Sequence, residues 1–173
     1  MRAEVARCLI AVTALRYSEE YGMAAVASAA AAGEEAVLLF VLDPDVPGSV
    51  AERLAEDGFL GERLMHELQD TMLEEYRERG RGHLDDLEAR ARAAGVVVRT
   101  RIAEGPFVET VCEVAEEERV GRILAADVPR SPLARVFLRS ETDRLRRAAR
   151  CPAHMFGLDG EPLPTPPVPT RNR

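Results

Sequence analysis

The residues best suited to chemistry fall late in the chain, in Ile123–Cys151, reading ILAADVPRSPLARVFLRSETDRLRRAARC. A short apolar run, Ile123–Ala126, passes through Asp127 into a loop holding Pro129 and Pro132, and then into an amphipathic helix. In α/β chains the handover from strand to helix is where ligands sit. Arg130, Ser131, Arg139 and Ser140 supply guanidinium and hydroxyl donors of the kind that hold a phosphate or a carboxylate. Other features oppose an anion. Ser140 and Asp143 fit a Ser-x-x-Asp capping box, and Glu141 with Asp143 places negative charge on the first turn of the helix. Residues 122–150 carry eight arginines against Asp127, Glu141 and Asp143. That local excess steers an anionic partner, or simply suits the helix dipole beside an acidic neighbour.

Other catalytic chemistries find little support. All 23 basic residues are Arg, which removes a Walker-type lysine, a Schiff-base lysine and a lysine general base. The net charge of −7 argues against non-specific nucleic-acid binding, and the absence of Trp argues against base-stacking platforms. His66 and His83 lie about 25 Å apart on one helical segment, and His154 is remote from both, so no metal site is expected. Carboxylate pairs such as Asp85–Asp86 and Glu116–Glu118 belong to solvated helix faces. Cys8, Cys112 and Cys151 form no C-x-x-C motif and read as free thiols in a reducing compartment. The N-terminal apolar run is too short for a signal sequence, and no run reaches membrane-spanning length, so a soluble cytoplasmic protein is expected.

The elements that position these residues alternate between strand and helix. Arg7–Thr13 reads as a first, central strand; Ser18 caps a helix that stops at Gly33. Ala36–Leu42 is apolar throughout, as a parallel strand covered on both faces requires, and Asp43-Pro44-Asp45 closes it. A short helix is expected over Ser49–Asp57. From Glu62 to Ala94 a stripe of Met65, Leu68, Met72, Tyr76, Leu84, Leu87 and Ala91 marks a long helix, with Gly80 and Gly82 as points of bending. Val96–Ile102 is the third strand, Pro106 the first position of the helix Phe107–Glu118, and Gly121 the end of that helix. Ile123–Ala126, the helix Glu141–Arg150 and a weak strand Ala153–Phe156 follow. Gly157–Arg173 holds five of the eleven prolines and reads as an irregular extension, giving domain limits of 1–157 with a tail at 158–173.

Residues 5–157 resemble the universal stress proteins. The resemblance rests on element order, the Leu-Arg-Ser frame at 138–140, the Gly105-Pro106 turn and the Cys151-Pro152 lead into the last strand. It implies an adenine nucleotide alpha hydrolase-like fold: a doubly wound parallel sheet of five strands in the order 3-2-1-4-5, with helices on both faces. At its switch point Thr13, Val41, Ala126 and Asp127 meet in one crevice, with Asp43 beside it. In that family the strand end carries Gly-x-x-Gly, nine residues, then Gly before Ser or Thr. Those three glycine positions fall on Ala126, Pro129 and Arg139 here, and the family's aspartate at the end of the first strand falls on Thr13. Proline offers no N–H, and side chains obstruct the close approach of backbone to phosphate. The expected function is a non-catalytic, dimeric stress-response or signalling module that has lost ATP binding and carries no cofactor. The alternative is a nucleotide-binding protein, a slow ATP hydrolase or AMP binder, with a phosphate site rebuilt from Arg130, Ser131, Arg139 and Ser140. The resemblance also implies a homodimer paired through the C-terminal edge strand.

Overall fold

The computed structural model describes residues 6–44, 61–128 and 141–165. The short helix expected at 49–57, the Ser140 cap and the loop residues Pro129, Arg130, Ser131 and Arg139 lie outside them. Five strands form one sheet: β1 (Arg7–Val12), β2 (Glu35–Leu42), β3 (Val98–Glu104), β4 (Arg122–Ala126) and β5 (Ala153–Phe156). Their order is β3-β2-β1-β4-β5 and every pairing between them is parallel. The helices are α1 (Glu19–Ala32), α2 (Glu62–Ala93), α3 (Phe107–Glu117) and α4 (Glu141–Ala148). This is the doubly wound five-stranded sheet expected from the sequence.

The two-residue period of a strand sends neighbouring side chains to opposite faces, and an apolar run therefore feeds two cores. Cys8, Ile10 and Val12 of β1 join Leu38, Phe40 and Leu42 of β2 under α1 and α2. Leu9 and Ala11 join Val37, Leu39 and Val41 under α3 and α4. Ser18 caps α1 by accepting from Tyr21 N at 3.0 Å, and Gly33 ends it at φ 66°. The buried Tyr21 hydroxyl lies 3.0 Å from the carbonyls of both Ala11 and Leu124, joining α1 to the two central strands.

The sequence and the fold part at several points. The α2 stripe is fully buried only in its C-terminal half, at Leu84, Leu87 and Ala91; Met65, Leu68, Met72 and Tyr76 are half-buried and Ala94 is exposed. Gly80 does not break the helix. A Cβ there would lie 2.5 Å from the Phe40 ring, so the glycine lets α2 rest directly on β2. The exposed face of α2 carries pairs such as Arg79–Glu75 and Arg81–Glu78. β3 begins at Val98, two residues later than expected, because Val96 N–H still bonds the Ala91 carbonyl as α2 closes. Pro106 is the N-cap of α3 rather than its first residue, with ψ 137°. That helix ends at Arg119, left-handed at φ 53°, with Val120 N–H reaching back to the Ala115 carbonyl. Gly121 plays no part in that stop and donates to Arg7 at the entry to β4. The described part of the tail forms no helix or strand, but residues 157–163 turn back along β5.

Candidate functional site

β1 has β2 on one side and β4 on the other, so the loops leaving β1 and β4 separate at their carboxyl ends and open a crevice. A cavity of about 170 Å³ lies there. Its walls include Thr13 and Val41 of the expected site, together with Asp43 and Val128; Ala126 and Asp127 are not part of the lining. Val41 is also core, 1% exposed. The lining is mainly apolar and includes the rings of Phe40, Phe107 and Tyr76.

Among the described residues, Thr13, Ala126 and Asp127 are already engaged. The Thr13 hydroxyl oxygen accepts from Leu15 N at 3.1 Å and Arg16 N at 3.0 Å, folding the loop after β1 into a tight turn. Asp127 accepts from the Thr142 hydroxyl at 2.6 Å, which ties the end of β4 to the first turn of α4. The Ala126 carbonyl accepts from Arg16 Nη1 at 2.8 Å.

Arg16 is the residue that sequence reasoning passed over. It is 7% exposed, a depth at which an arginine needs partners on every side. Nη1 holds the Ala126 carbonyl, Nη2 pairs with Glu141, and the guanidinium lies 4.5 Å from the centre of the Phe107 ring. One side chain from the loop after β1 thus bridges the end of β4 and the start of α4. The available signal was topological. Adjacent strands bring their following loops together, and an arginine in one loop with a glutamate in the other is a pair only once β1 and β4 are neighbours.

The turn carrying Arg16 is fixed from outside by α2. Tyr17 donates to Asp86 at 2.7 Å, Arg90 donates to the same oxygen at 2.9 Å, and Arg90 also reaches Glu19 at 2.7 Å. The Tyr17 and His83 rings lie 4.1 Å apart. The Tyr17 hydrogen bond, and then Arg90, hold the Asp86 carboxyl below its usual value; burial pushes the His83 imidazole down. Both shifts have the same sign for stability. The unfolded chain binds protons that the folded chain refuses, so folding is weakened on acidification. His83 contributes first, as pH falls below about 6.5 toward its lower folded value, and Asp86 follows below about 4. Denaturant midpoints are therefore expected to fall between pH 7.5 and pH 5.5, and the fall should be smaller in His83→Phe; identical slopes in the two proteins would remove His83 from the explanation.

Among the described residues no group of three or more His, Cys, Asp or Glu is placed to hold a metal ion, and no helix is long and apolar enough to cross a membrane. Cys8 is buried and its thiol is pushed up to about 12, first by burial and then by the Glu34 charge, which makes it inert at neutral pH.

The sequence model of the universal stress protein family matches residues 5–156. The chain belongs to this family. No protein with a curated description matches it. Among solved structures, a universal stress protein in complex with cAMP is 15% identical, with a TM-score of 0.59 over 90% of this chain and 99% of that one. A universal stress protein family member from Burkholderia pseudomallei is 25% identical, with a TM-score of 0.57 over 87% and 95%. The universal stress protein from Archaeoglobus fulgidus in complex with dAMP is 14% identical, with a TM-score of 0.53 over 87% and 96%. As a universal stress protein, the chain has a five-stranded parallel sheet with a crevice at its switch point, and Arg16 is part of the crevice wall.

Proposed function

We propose that this universal stress protein is a non-catalytic signalling module of the stress response that no longer takes ATP through a backbone phosphate cradle. The observation that carries the reading is Arg16, whose guanidinium spans from the Ala126 carbonyl to Glu141 where the strand hands over to the helix. Where the resemblance puts the family's glycines the chain has Ala126, Pro129 and Arg139, which supports the same reading. A cavity of about 170 Å³ is also smaller than the usual 300 Å³ or more of a small-molecule site.

A second reading is favoured by the three aromatic rings in the cavity wall and by the cAMP and dAMP bound to relatives of the same fold. In it an adenine nucleotide enters with its base in the crevice, and its phosphate meets Arg130, Ser131, Arg139 and Ser140. Thermal unfolding with millimolar Mg-ATP, AMP and cyclic AMP separates the two. No shift in Tm is expected with any of them. A saturable rise that disappears in Arg130→Ala and Arg139→Ala would favour the second reading.

A further inference from the structure

Cys112 and Cys151 come from distant parts of the chain and meet at the rim of the second core. Cys112 sits on α3, and Cys151 lies in the bend between α4 and β5, just before Pro152. Both pack against the same apolar cluster. Both also line one cavity of about 150 Å³, with Ala115 and Ala149 among its walls. Each of the two is half-buried, so a small molecule in solution can reach the pair. Cys8 belongs to the first core, on the other face of the sheet, and is fully buried. The chain's thiols thus divide into one sealed cysteine and two that share an opening.

The surroundings suit a bond between those two. A disulfide needs Cα atoms about 4.4–6.8 Å apart and a dihedral of about 90°, so at least one side of the pair must be able to adjust. Cys112 is held in a helical turn, whereas Cys151 stands outside regular structure, with no helix or ladder hydrogen bond to break if it turns. The alanines beside the sulfurs add little bulk to the cavity wall.

At rest the pair is a dithiol. Burial pushes both thiols above their usual value, and at Cys112 the nearby Cys151 adds to this, followed by Glu109, Glu116 and Glu113. The effect of Cys151 on Cys112 is a second sign that the two sulfurs are neighbours. A thiol that stays protonated reacts slowly with a passing oxidant, so the pair answers to the sustained thiol–disulfide balance around it rather than to a brief pulse.

We propose that Cys112 and Cys151 are a modification site, a dithiol that low-molecular-weight disulfides convert reversibly into an intramolecular disulfide. One cysteine gives up its proton and its thiolate attacks a sulfur of the small disulfide. The small S–S bond breaks, one small thiolate leaves and takes a proton, and a mixed disulfide forms on the protein. The thiolate of the second cysteine attacks the protein sulfur of that mixed disulfide, and the second small thiolate leaves and takes the second proton. The two protein sulfurs together lose two electrons, and the small disulfide is reduced to two thiols; an excess of small thiol runs both steps backwards. The bond would join the two helices that hold Arg16, since α3 begins at Phe107, which stacks on its guanidinium, and α4 begins at Glu141, which pairs with it.

The test equilibrates the unaltered full chain with graded mixtures of glutathione and glutathione disulfide. Each sample is quenched with acid, its free thiols are alkylated in denaturant, and intact mass and peptide mapping locate them. Alkylated cysteines should fall from three to one as the mixture becomes oxidising, with Cys8 the one that remains and Cys112 linked to Cys151. Added reductant should restore all three. The equilibrium constant for closing the bond should be at least about tenfold larger in the folded chain than in the same chain in urea, because the fold brings the sulfurs together. Cys112→Ser and Cys151→Ser should each leave the remaining partner as a stable glutathione adduct. Three free thiols at every ratio would overturn the proposal, and so would separate adducts on Cys112 and Cys151 with no bond between them. A bond that involves Cys8 or joins two chains, or equal constants in the folded and unfolded chain, would overturn it as well. These readings come from the unaltered chain and stand even if a variant fails to fold.

Discussion

Arg16→Ala is expected to lower stability by about 2–3 kcal/mol, with a Tm lower by several degrees for a chain of this size. Three losses add up. The Ala126 carbonyl loses a charge-assisted donor, Glu141 loses its paired guanidinium in a half-buried setting, and Phe107 loses the cation stacked on its ring. The value is set below that of a fully buried ion pair because the Glu141 side chain retains 31% exposure and keeps some hydration. Arg16→Lys should recover only part of the loss, since an ammonium cannot span two acceptors in the planar fork that the guanidinium provides. Equilibrium unfolding of the three proteins measures this. Unchanged stability in Arg16→Ala would mean that the bridge across the crevice contributes nothing.

Gly80→Ala is expected to destabilise by about 2 kcal/mol, although alanine favours a helix by about 1 kcal/mol over glycine. The opposing term is steric. The new Cβ would stand 2.5–2.8 Å from three atoms of the fully buried Phe40 ring, Cγ at its base among them, so the ring as a whole must shift. Two residues on, Gly82 has nothing within 4 Å of the same construction, so Gly82→Ala should stabilise by about 1 kcal/mol. Opposite signs at neighbouring glycines of one helix are the discriminating result, read from denaturant midpoints. Equal gains at both positions would show that α2 is not seated on β2 through Gly80.

Much of the fold was readable from period and punctuation. β1 and β2 are apolar without alternation because both faces are covered, and Ser18 and Gly33 bracket α1 by capping chemistry alone. Where the sequence misled, a tertiary contact had replaced a local rule. Gly80 looks like a bend but is a seat for Phe40; Gly121 looks like a helix stop, but Arg119 takes the left-handed position. The tail's prolines spoke against regular structure, and its described part has none beyond the single Phe156–Pro162 bridge. The crevice followed the same division. Thr13 and Val41 could be set beside the crevice by the resemblance and the strand ends together, and both line it. Arg16 could not, because its partners lie 110 and 125 residues away and meet it only through the β1–β4 pairing.

The most direct measurement is a titration of the isotope-labelled full chain with Mg-ATP, following the Arg16 side-chain resonance and the amides of Ala126, Asp127 and Val128. A crevice held by Arg16 and Glu141 predicts that these signals stay where they are up to millimolar nucleotide. Saturable movement of the Ala126–Val128 amides together with Arg16 would contradict it, because the nucleotide would then be displacing the guanidinium and gripping the backbone that it covers.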